Sequence, residues 1–461
     1  MSLIKSISGI RGTIGGKPGE GLSPLDVVKF TSAFAVFLQR GSSRSRIKVV
    51  VGRDARISGA MIDGLVVNTL IGMGVDVVET GLTTTPTTEM SVIEHQADGG
   101  IIITASHNPQ HWNALKLLGS SGEFINAADG AEVLRLAESD EIRYAEVDKL
   151  GSVTYDNDAI QKHIDKVLSL PLVDTKAIRK AGLKVAVDAV NSTGGIAITR
   201  LLKALGVKKV VELNCEPTGV FAHNPEPIPQ NLTDIAKLVP AEKCDLGIVV
   251  DPDVDRLALV CEDGQMFGEE YTLVAVADYV LSMTPGNTVS NLSSSRALRD
   301  ITVKYDGCRY DASAVGEVNV TALMKQTHAV IGGEGNGGVI YPALHYGRDA
   351  LVGVALFLTF IAERRAKMTS LRRMYPSYII TKNRKELTPD MDVDALLRKV
   401  ANHYESLPDC KVSTIDGVKI DFEDGWVHLR KSNTEPIIRI YSESGSEDRA
   451  NSLAADVMQM M

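Results

Sequence analysis

The chain has no apolar run long enough to cross a bilayer. Its longest nearly uninterrupted stretch, Ala350 to Ala362, falls well short of the roughly 20 residues that a spanning helix needs and reads as a buried helix. The first dozen residues include Lys5 and Arg11 and no hydrophobic block of the kind that directs export, so neither secretion nor membrane insertion is expected. Cysteine is scarce. Cys215, Cys244, Cys261, Cys308 and Cys410 are odd in number, widely scattered and without a CxxC pair, which argues against a disulfide framework and a thiolate metal site and for reduced thiols in a cytoplasm. Positive charge is in the minority. With 49 Lys and Arg against 58 Asp and Glu, the formal net charge of −9 provides no global field to draw the chain onto nucleic acid, so any phosphate must be met by a local cluster. Low-complexity segments and long linkers are also missing.

What is present is a large globular chain. Its 461 residues are about three times the ~150-residue single-domain expectation, which implies three or four domains. The 44% hydrophobic and 23% charged residues can bury real cores and exclude a disordered or fibrous chain. Apolar β-branched runs at Ile47 to Val51, Val75 to Val78 and Gly100 to Thr104 alternate with the helical Gly59 to Met73, the pattern of a mixed, mostly parallel sheet covered by helices. The theme recurs with strands at Leu183 to Asp188, Val210 to Leu213 and Leu246 to Val250 around a helical Ile196 to Leu205, and again after a helical Glu269 to Met283. Beyond Tyr375-Pro376 come short runs at Lys411 to Thr414, Val418 to Phe422, Trp426 to Leu429 and Ile437 to Tyr441 with Asp-Gly turns and a helical tail, the grammar of an antiparallel sheet. The expected architecture is α/β and multidomain: three similar mixed-sheet α/β domains over 1–158, 159–264 and 265–376, plus a smaller α+β domain over 377–461, around a central cleft.

Four segments carry chemistry. Ala105-Ser106-His107-Asn108-Pro109 follows a strand at the carboxyl end of a sheet, where ligands of open α/β sheets bind. Its serine could act as a nucleophile or carry a phosphoryl group; taken alone, with no Gly-x-Ser-x-Gly elbow around the serine, the segment reads rather as a polar turn whose side chains satisfy backbone groups. Asp251-Pro252-Asp253-Val254-Asp255-Arg256 puts three carboxylates at alternate positions, a ligand set for a hard cation such as Mg²⁺. An EF-hand is excluded, because Arg256 stands where that loop requires Gly and strands flank the segment. Gly332 to Gly338 contains a formal GxGxxG, but Val339-Ile340-Tyr341-Pro342 after it is strand-like, so the dinucleotide reading fails. Its glycines would let backbone approach a ligand, with Glu334 and Asn336 suited to sugar hydroxyls. Arg430-Lys431-Ser432-Asn433-Thr434-Glu435-Pro436, with Arg439 beyond it, gathers cations, hydroxyls and turn amides that suit an anion nest for a phosphate monoester, though on its own the run reads equally as a solvated basic face.

In this order and spacing the four segments resemble the α-D-phosphohexomutase superfamily, which includes phosphomannomutase/phosphoglucomutase and phosphoglucosamine mutase. Gly9-Ile10-Arg11-Gly12, Asn113-Ala114-Leu115-Lys116 and Ala314-Val315-Gly316 are similar to further family motifs, and the resemblance runs from residue 9 to residue 439. It implies a phosphoserine at Ser106, Mg²⁺ held by Ser106, Asp251, Asp253 and Asp255, and electrostatic support from Arg11 and Arg256. It also implies Lys116 as general acid/base with a pKa lowered in a cation-rich site, His107 as an alternative in that role, and Glu334 and Asn336 on the sugar. Arg430, Ser432, Asn433, Thr434 and Arg439 would hold the nonreacting phosphate. The implied reaction interconverts hexose 6-phosphate and hexose 1-phosphate through a bound hexose 1,6-bisphosphate, which also serves as activator. The chain departs from the family in Ala114 and Asn433 where Gly is usual, and in Gly337-Gly338 where a Ser and a His are usual. The Asn-Gly-Gly form looks like archaeal-type members and leans to glucosamine phosphate, with mannose or glucose phosphate as the alternative. The partners implied are sugar phosphates, with the protein a monomer or homodimer. Two more distant readings are a metal-dependent sugar phosphatase with Asp251 as nucleophile and a non-catalytic sugar-phosphate-binding protein.

Overall fold

A computed structural model describes residues 2–6, 9–388, 391–432 and 437–461. The first sheet runs Leu3–Ser6, Gly9–Thr13, Trp112–Gly119, Gly99–Ile103, Lys48–Arg53, Asp76–Leu82, Val153–Tyr155 in spatial order. Its central strands are buried on both faces, which is why they read as continuous apolar runs. Val49, Val51, Ile101 and Ile103 meet Phe30, Phe34, Ile62 and Val66 on one side, while Val50 and Ile102 meet Val92 and Leu118 on the other.

One pattern is used three times. In the first sheet Asp76–Leu82, Lys48–Arg53 and Gly99–Ile103 are parallel neighbours, and Trp112–Gly119 closes on the last of them antiparallel. In the second, Lys209–Leu213, Lys184–Asp188 and Leu246–Val250 are parallel and Leu257–Cys261 folds back antiparallel. In the third, Tyr310–Ser313, Thr288–Asn291 and Ile331–Glu334 are parallel and Gly338–Ile340 folds back. The Ser106, Asp251 to Arg256 and Gly335 to Gly337 segments are therefore the same antiparallel connection in three sheets. The fourth sheet is antiparallel throughout, ordered Ile379–Glu386, Ile437–Ser444, Gly425–Lys431, Val418–Phe422, Cys410–Ser413, with helices Val393–Glu405 and Glu447–Gln459 in one core with it.

The second and third units share a single core around helix Ala350–Arg364, whose residues 350–362 are all buried. It packs on helices Ala159–Leu168, Thr175–Ala181, Gly194–Leu205 and Glu269–Met283. Among the described residues no helix is long and apolar enough to cross a membrane.

The fourth unit docks on the third through buried polar groups. Arg296 donates to the carbonyls of Phe422, Glu423 and Gly425 at 3.0, 2.9 and 2.5 Å. Glu443 Oε1 accepts from the Arg296 backbone at 3.0 Å and from Trp426 Nε1 at 2.7 Å. His428 lies between the units, its Nε2–H donating to the Asp416 carbonyl at 2.7 Å, so its Nδ1 accepts from Ser293 Oγ at 2.8 Å. Burial pushes His428 down to about 4, against the opposing pull of the Asp416 carbonyl. A histidine held neutral in the fold but free to protonate near pH 6.5 when unfolded supplies stability above that pH, and loses it as the pH falls toward 4. His428→Gln should therefore flatten the acid side of the stability curve. Urea unfolding at pH 7 and pH 4.5 measures this: wild type should lose on the order of 2–3 kcal/mol more than the variant.

Candidate active site

The three equivalent connections meet. Strand Gly99–Ile103 delivers Thr104, whose Oγ1 donates to Asp54 Oδ2 at 2.6 Å and accepts from the Ser106 amide at 2.9 Å. Ser106 then takes φ +49, a left-handed conformation uncommon for a residue with a Cβ. What holds it there is Arg56. Its guanidinium donates to the carbonyls of Ser106, Asn108, Pro109 and Trp112 at 2.5, 2.7, 2.8 and 2.9 Å, while its Nε pairs with Asp54 at 3.1 Å. Arg56 is fully buried, and its guanidinium carbon sits 5.0 Å from the centre of the Phe221 ring, a residue of the second unit. Sequence reading missed this residue; the Gly52-Arg53-Asp54-Ala55-Arg56 run after an apolar strand was its only signal.

Ser106 Oγ donates to Asp251 Oδ2 at 2.7 Å, across the first two units, and lies 3.4 Å from His107 Nδ1. Asp251 Oδ1 accepts from the amides of Asp255 and Arg256 at 3.2 and 3.1 Å, and Val254 at φ +63 turns the loop so that Asp253 and Asp255 return to the same point. The three carboxylates are at most 1% exposed, and one oxygen of each lies within 4.8 Å of the others. Burial and then the charges of Asp255 and Asp253 push Asp251 well above the usual carboxylate range.

Lys116 and Arg348 face these charges. Lys116 Nζ lies 2.7 Å from Asp253 Oδ2 and 3.8 Å from Asp255 Oδ2. Burial alone would strip its proton, but Asp253 and Asp255 outweigh burial and raise its pKa. The cation-rich surrounding expected for Lys116 is thus corrected to an anionic one. Thr85 Oγ1 gives Asp253 Oδ2 a further bond at 2.6 Å. Asp253 Oδ1 and Asp255 Oδ1 are buried and make no hydrogen bond among the described residues. Two unmade acceptors beside a third carboxylate fit a hard divalent cation with oxygen ligands, as Mg²⁺ requires.

Arg11 comes from strand Gly9–Thr13, opposite Ala114 and so on the same sheet face as Lys116, and donates to Asn108 Oδ1 at 3.4 Å. Arg256 lies with its Nε 3.8 Å from Asp255 Oδ1. Burial, then Arg256 and Arg11, drive the His107 pKa well down, so its ring is a neutral acceptor or base.

The glycine-rich connection differs from expectation. Glu334 is 4% exposed and already takes four donors: Asn291 Nδ2 at 2.8 Å, the Gly316 amide at 3.2 Å, Arg348 Nη1 at 2.7 Å and Asn336 Nδ2 at 3.4 Å. That fills a carboxylate, so Glu334 is not the free acceptor that the sequence suggested. Asn336 is also turned inward, its Oδ1 accepting from the Gly338 amide at 3.2 Å. The glycines serve packing. A Cβ on Gly335 would meet the Glu270 carboxylate at 1.8 Å and one on Gly338 the Arg348 side chain at 2.3 Å, while Gly337 at φ +88 presses on the Leu257 backbone.

Arg348 is the second missed residue. Its guanidinium reaches Asp255 Oδ2 at 2.7 Å, Glu334 Oε2 at 2.7 Å and Glu317 Oε2 at 2.9 Å, joining the acidic loop of the second unit to the third. In the fourth unit Arg430 and Arg439 are directly opposed across neighbouring strands, an arrangement that an anion stabilises. Ser432 is buried beside them in sequence, and Asn433 and Thr434 lie outside the described residues. The link to the other units runs through Asp416, whose Oδ2 is 3.8 Å from Arg430 Nε and accepts from the Val315 amide at 2.9 Å.

Comparison with known proteins agrees with this geometry. Residues 3–143, 161–264 and 268–378 match the phosphoglucomutase/phosphomannomutase alpha/beta/alpha domains I, II and III, and residues 382–460 match the C-terminal domain of the same family. A phosphoglucomutase/phosphomannomutase of Thermococcus kodakarensis is 36% identical over 95% of both chains. A probable phosphoglucosamine mutase of Methanopyrus kandleri is 32% identical over 98% of this chain and 96% of the relative. A phosphoglucosamine/phosphogalactosamine mutase of Sulfurisphaera tokodaii is 31% identical over 100% and 99%. Among solved structures, a phosphoglucomutase/phosphomannomutase family protein from Burkholderia thailandensis superposes with a TM-score of 0.85 at 27% identity, covering 99% of this chain and 96% of the other. With all four domains matched in order and relatives aligned end to end, this chain belongs to the phosphoglucomutase/phosphomannomutase family.

Proposed function

We propose that this phosphohexomutase interconverts glucosamine 6-phosphate and glucosamine 1-phosphate through a phosphoserine at Ser106 and a bound hexose 1,6-bisphosphate. The observation that carries the reading is the 2.7 Å contact of Ser106 Oγ with a carboxylate of a buried acidic triplet, in a loop held open at a left-handed φ. A serine hydroxyl with only a structural part to play has no need of that strained placement.

Asp251, Asp253 and Asp255 with the Ser106 oxygen are the residues that would hold Mg²⁺, whose chemistry is to neutralise charge on a transferring phosphoryl group. The remaining work falls to side chains. Phospho-Ser106 gives its phosphoryl group to a substrate hydroxyl: the Ser106 O–P bond breaks, an O–P bond to the sugar forms, the hydroxyl proton passes to a base, and the departing Ser106 oxygen takes up a proton from an acid of the site. Neutral His107, 3.4 Å from the Ser106 oxygen, and Lys116 are the two candidates. The proton on Lys116 is held by the same carboxylates that would hold the cation, so occupation of the triplet and the acidity of Lys116 are tied together. Arg11 and Arg256 add positive charge beside the transferring group. Reversal at the other phosphate returns a phosphoryl group to Ser106. Arg430, Ser432 and Arg439, with Asn433 and Thr434 of the same loop, would anchor whichever phosphate is not reacting.

The choice of an amino sugar rests on the names carried by the Methanopyrus kandleri and Sulfurisphaera tokodaii relatives; the Thermococcus kodakarensis name favours glucose and mannose phosphates. Glu334 would accept a sugar amine or hydroxyl by exchanging its longest partner, Asn336 at 3.4 Å. The test is a side-by-side assay with glucosamine, mannose and glucose phosphates, Mg²⁺ and a trace of the matching bisphosphate. Fastest turnover of glucosamine phosphate is expected, and preference for another hexose overturns that choice of sugar.

Ser106→Ala should reduce mutase flux to background while sugar-phosphate affinity, read by calorimetry, changes little. Intact-mass analysis of wild type should find acid-stable phosphate on Ser106; acid-labile phosphate on Asp251 would mark a phosphatase instead. Arg348→Gln leaves three buried carboxylates without their shared cation and should cost about 3–5 kcal/mol in urea unfolding. Arg348→Lys keeps the charge but cannot span three partners, and kcat should fall more than stability.

A further inference from the structure

A second cluster of side chains of the types that ligate metals is buried where the first three units meet. His163 comes from helix Ala159–Leu168, and Thr87 and Glu89 come from helix Thr85–Glu94. His345 lies in the turn ahead of the central helix, and Asp349 caps that helix through its Oδ1. All five are buried. His163 Nε2 and His345 Nε2 face the same oxygen, Asp349 Oδ2, at 2.9 and 3.3 Å. Those separations suit neighbouring ligands of a tetrahedral Zn²⁺, where bonds of about 2.0–2.1 Å put ligand atoms about 3.3 Å apart. The two rings stand edge to face at 89°.

The outer ring nitrogens have the partners that ligating histidines use to fix tautomer and orientation. His163 Nδ1 is 2.9 Å from Thr87 Oγ1, and His345 Nδ1 is 3.4 Å from Glu89 Oε2. Glu89 itself is 1% exposed, and neither of its carboxylate oxygens makes a hydrogen bond among the described residues. A buried acid aimed at an imidazole, with no other hydrogen bond, is a costly feature unless positive charge arrives on that ring. Gly347 permits the approach, since a Cβ there would lie 1.9 Å from Glu89 Oε2.

We propose that His163, His345 and Asp349 form a binding site for a Zn²⁺-class cation, separate from the acidic triplet, which ties the first three units together. Two imidazoles and one carboxylate suit such a metal, whereas the all-oxygen triplet suits Mg²⁺, so ligand chemistry sorts the two. Without the metal, both rings present Nε2–H to Asp349. Binding shifts each ring to its Nδ1–H tautomer, with Thr87 Oγ1 and the Glu89 carboxylate as acceptors.

The inference stands apart from the mutase reading, and its test does not use turnover. Untagged full-length chain, stripped with chelator and held in excess Mg²⁺, is titrated with Co²⁺ and followed by visible absorption. One equivalent of intense tetrahedral-type bands is expected, lost in His163→Gln and in His345→Gln but kept in Asp253→Asn. Weak octahedral-type absorption alone, or intense bands that survive both histidine variants, overturns the proposal. Wild type supplies a check that needs no variant: Zn²⁺ should raise its Tm under the same Mg²⁺ excess, and an unchanged Tm counts against the site.

Discussion

Three carboxylates within 4.8 Å of one another, all removed from water, are the arrangement to which the rest of this molecule answers. Such a cluster is tolerated only where cations meet it. Three come from the protein: Lys116 from the first unit, Arg256 from the acidic loop itself and Arg348 from the third. The charge balance of the site is therefore also the adhesive between units. Removing the triplet would leave Lys116 buried without its paired carboxylates and would take from Arg348 one of its three, Asp255, with Glu317 and Glu334 remaining. Asp253 Oδ1 and Asp255 Oδ1 make no hydrogen bond among the described residues, and buried carboxylate oxygens so placed fit a small divalent cation.

The same logic explains why the functional loops are hairpin connections. In each of the first three sheets the chain leaves a parallel strand and returns antiparallel, which places a short polar loop at the strand end while both flanking strands stay buried. A loop carried by two paired strands is held more firmly than one joining a strand to a helix. Its position can then be tuned by a single buried arginine. Arg56 does this for Ser106 by binding four carbonyls, and Arg348 does it for the other two loops by binding three carboxylates.

Much of this was legible in the sequence. Continuous apolar runs marked the doubly covered strands Leu246–Val250 and Gly99–Ile103, and the alternating aspartates announced carboxylates converging on one point, because like charges so spaced repel unless something positive compensates them. Other parts were hidden for physical reasons. Helix Thr85–Glu94 is rich in threonine, a poor helix former, and is stabilised instead by buried side-chain bonds such as Thr88 Oγ1 to the Thr84 carbonyl. Arg56 and Arg348 look like surface residues in a sequence, because nothing local reveals that a guanidinium will find its partners 50 or 93 positions away. The glycines of residues 332–338 were visible, but their reason was not. Glycine signals that backbone comes close to something, and here that something is protein.

That last point bears on how a sugar phosphate can turn around in place. If the third unit's loop were a rigid, ready-made sugar site, it would favour one orientation of the ring over the other. Instead Glu334 is satisfied by four protein donors, the weakest from its own loop, so on the proposed reading sugar contacts would be made by exchange and could be remade after reorientation. The lasting grip then belongs to the phosphates, whose two ends present the same chemistry. Arg430 and Arg439 sit on a separate antiparallel sheet, joined to the third unit through Asp416, His428 and Arg296. On the proposed reading, an anchor at the arginine pair and a reacting serine in another unit would leave the carbohydrate between them free to present either hydroxyl, which is the condition a mutase must meet.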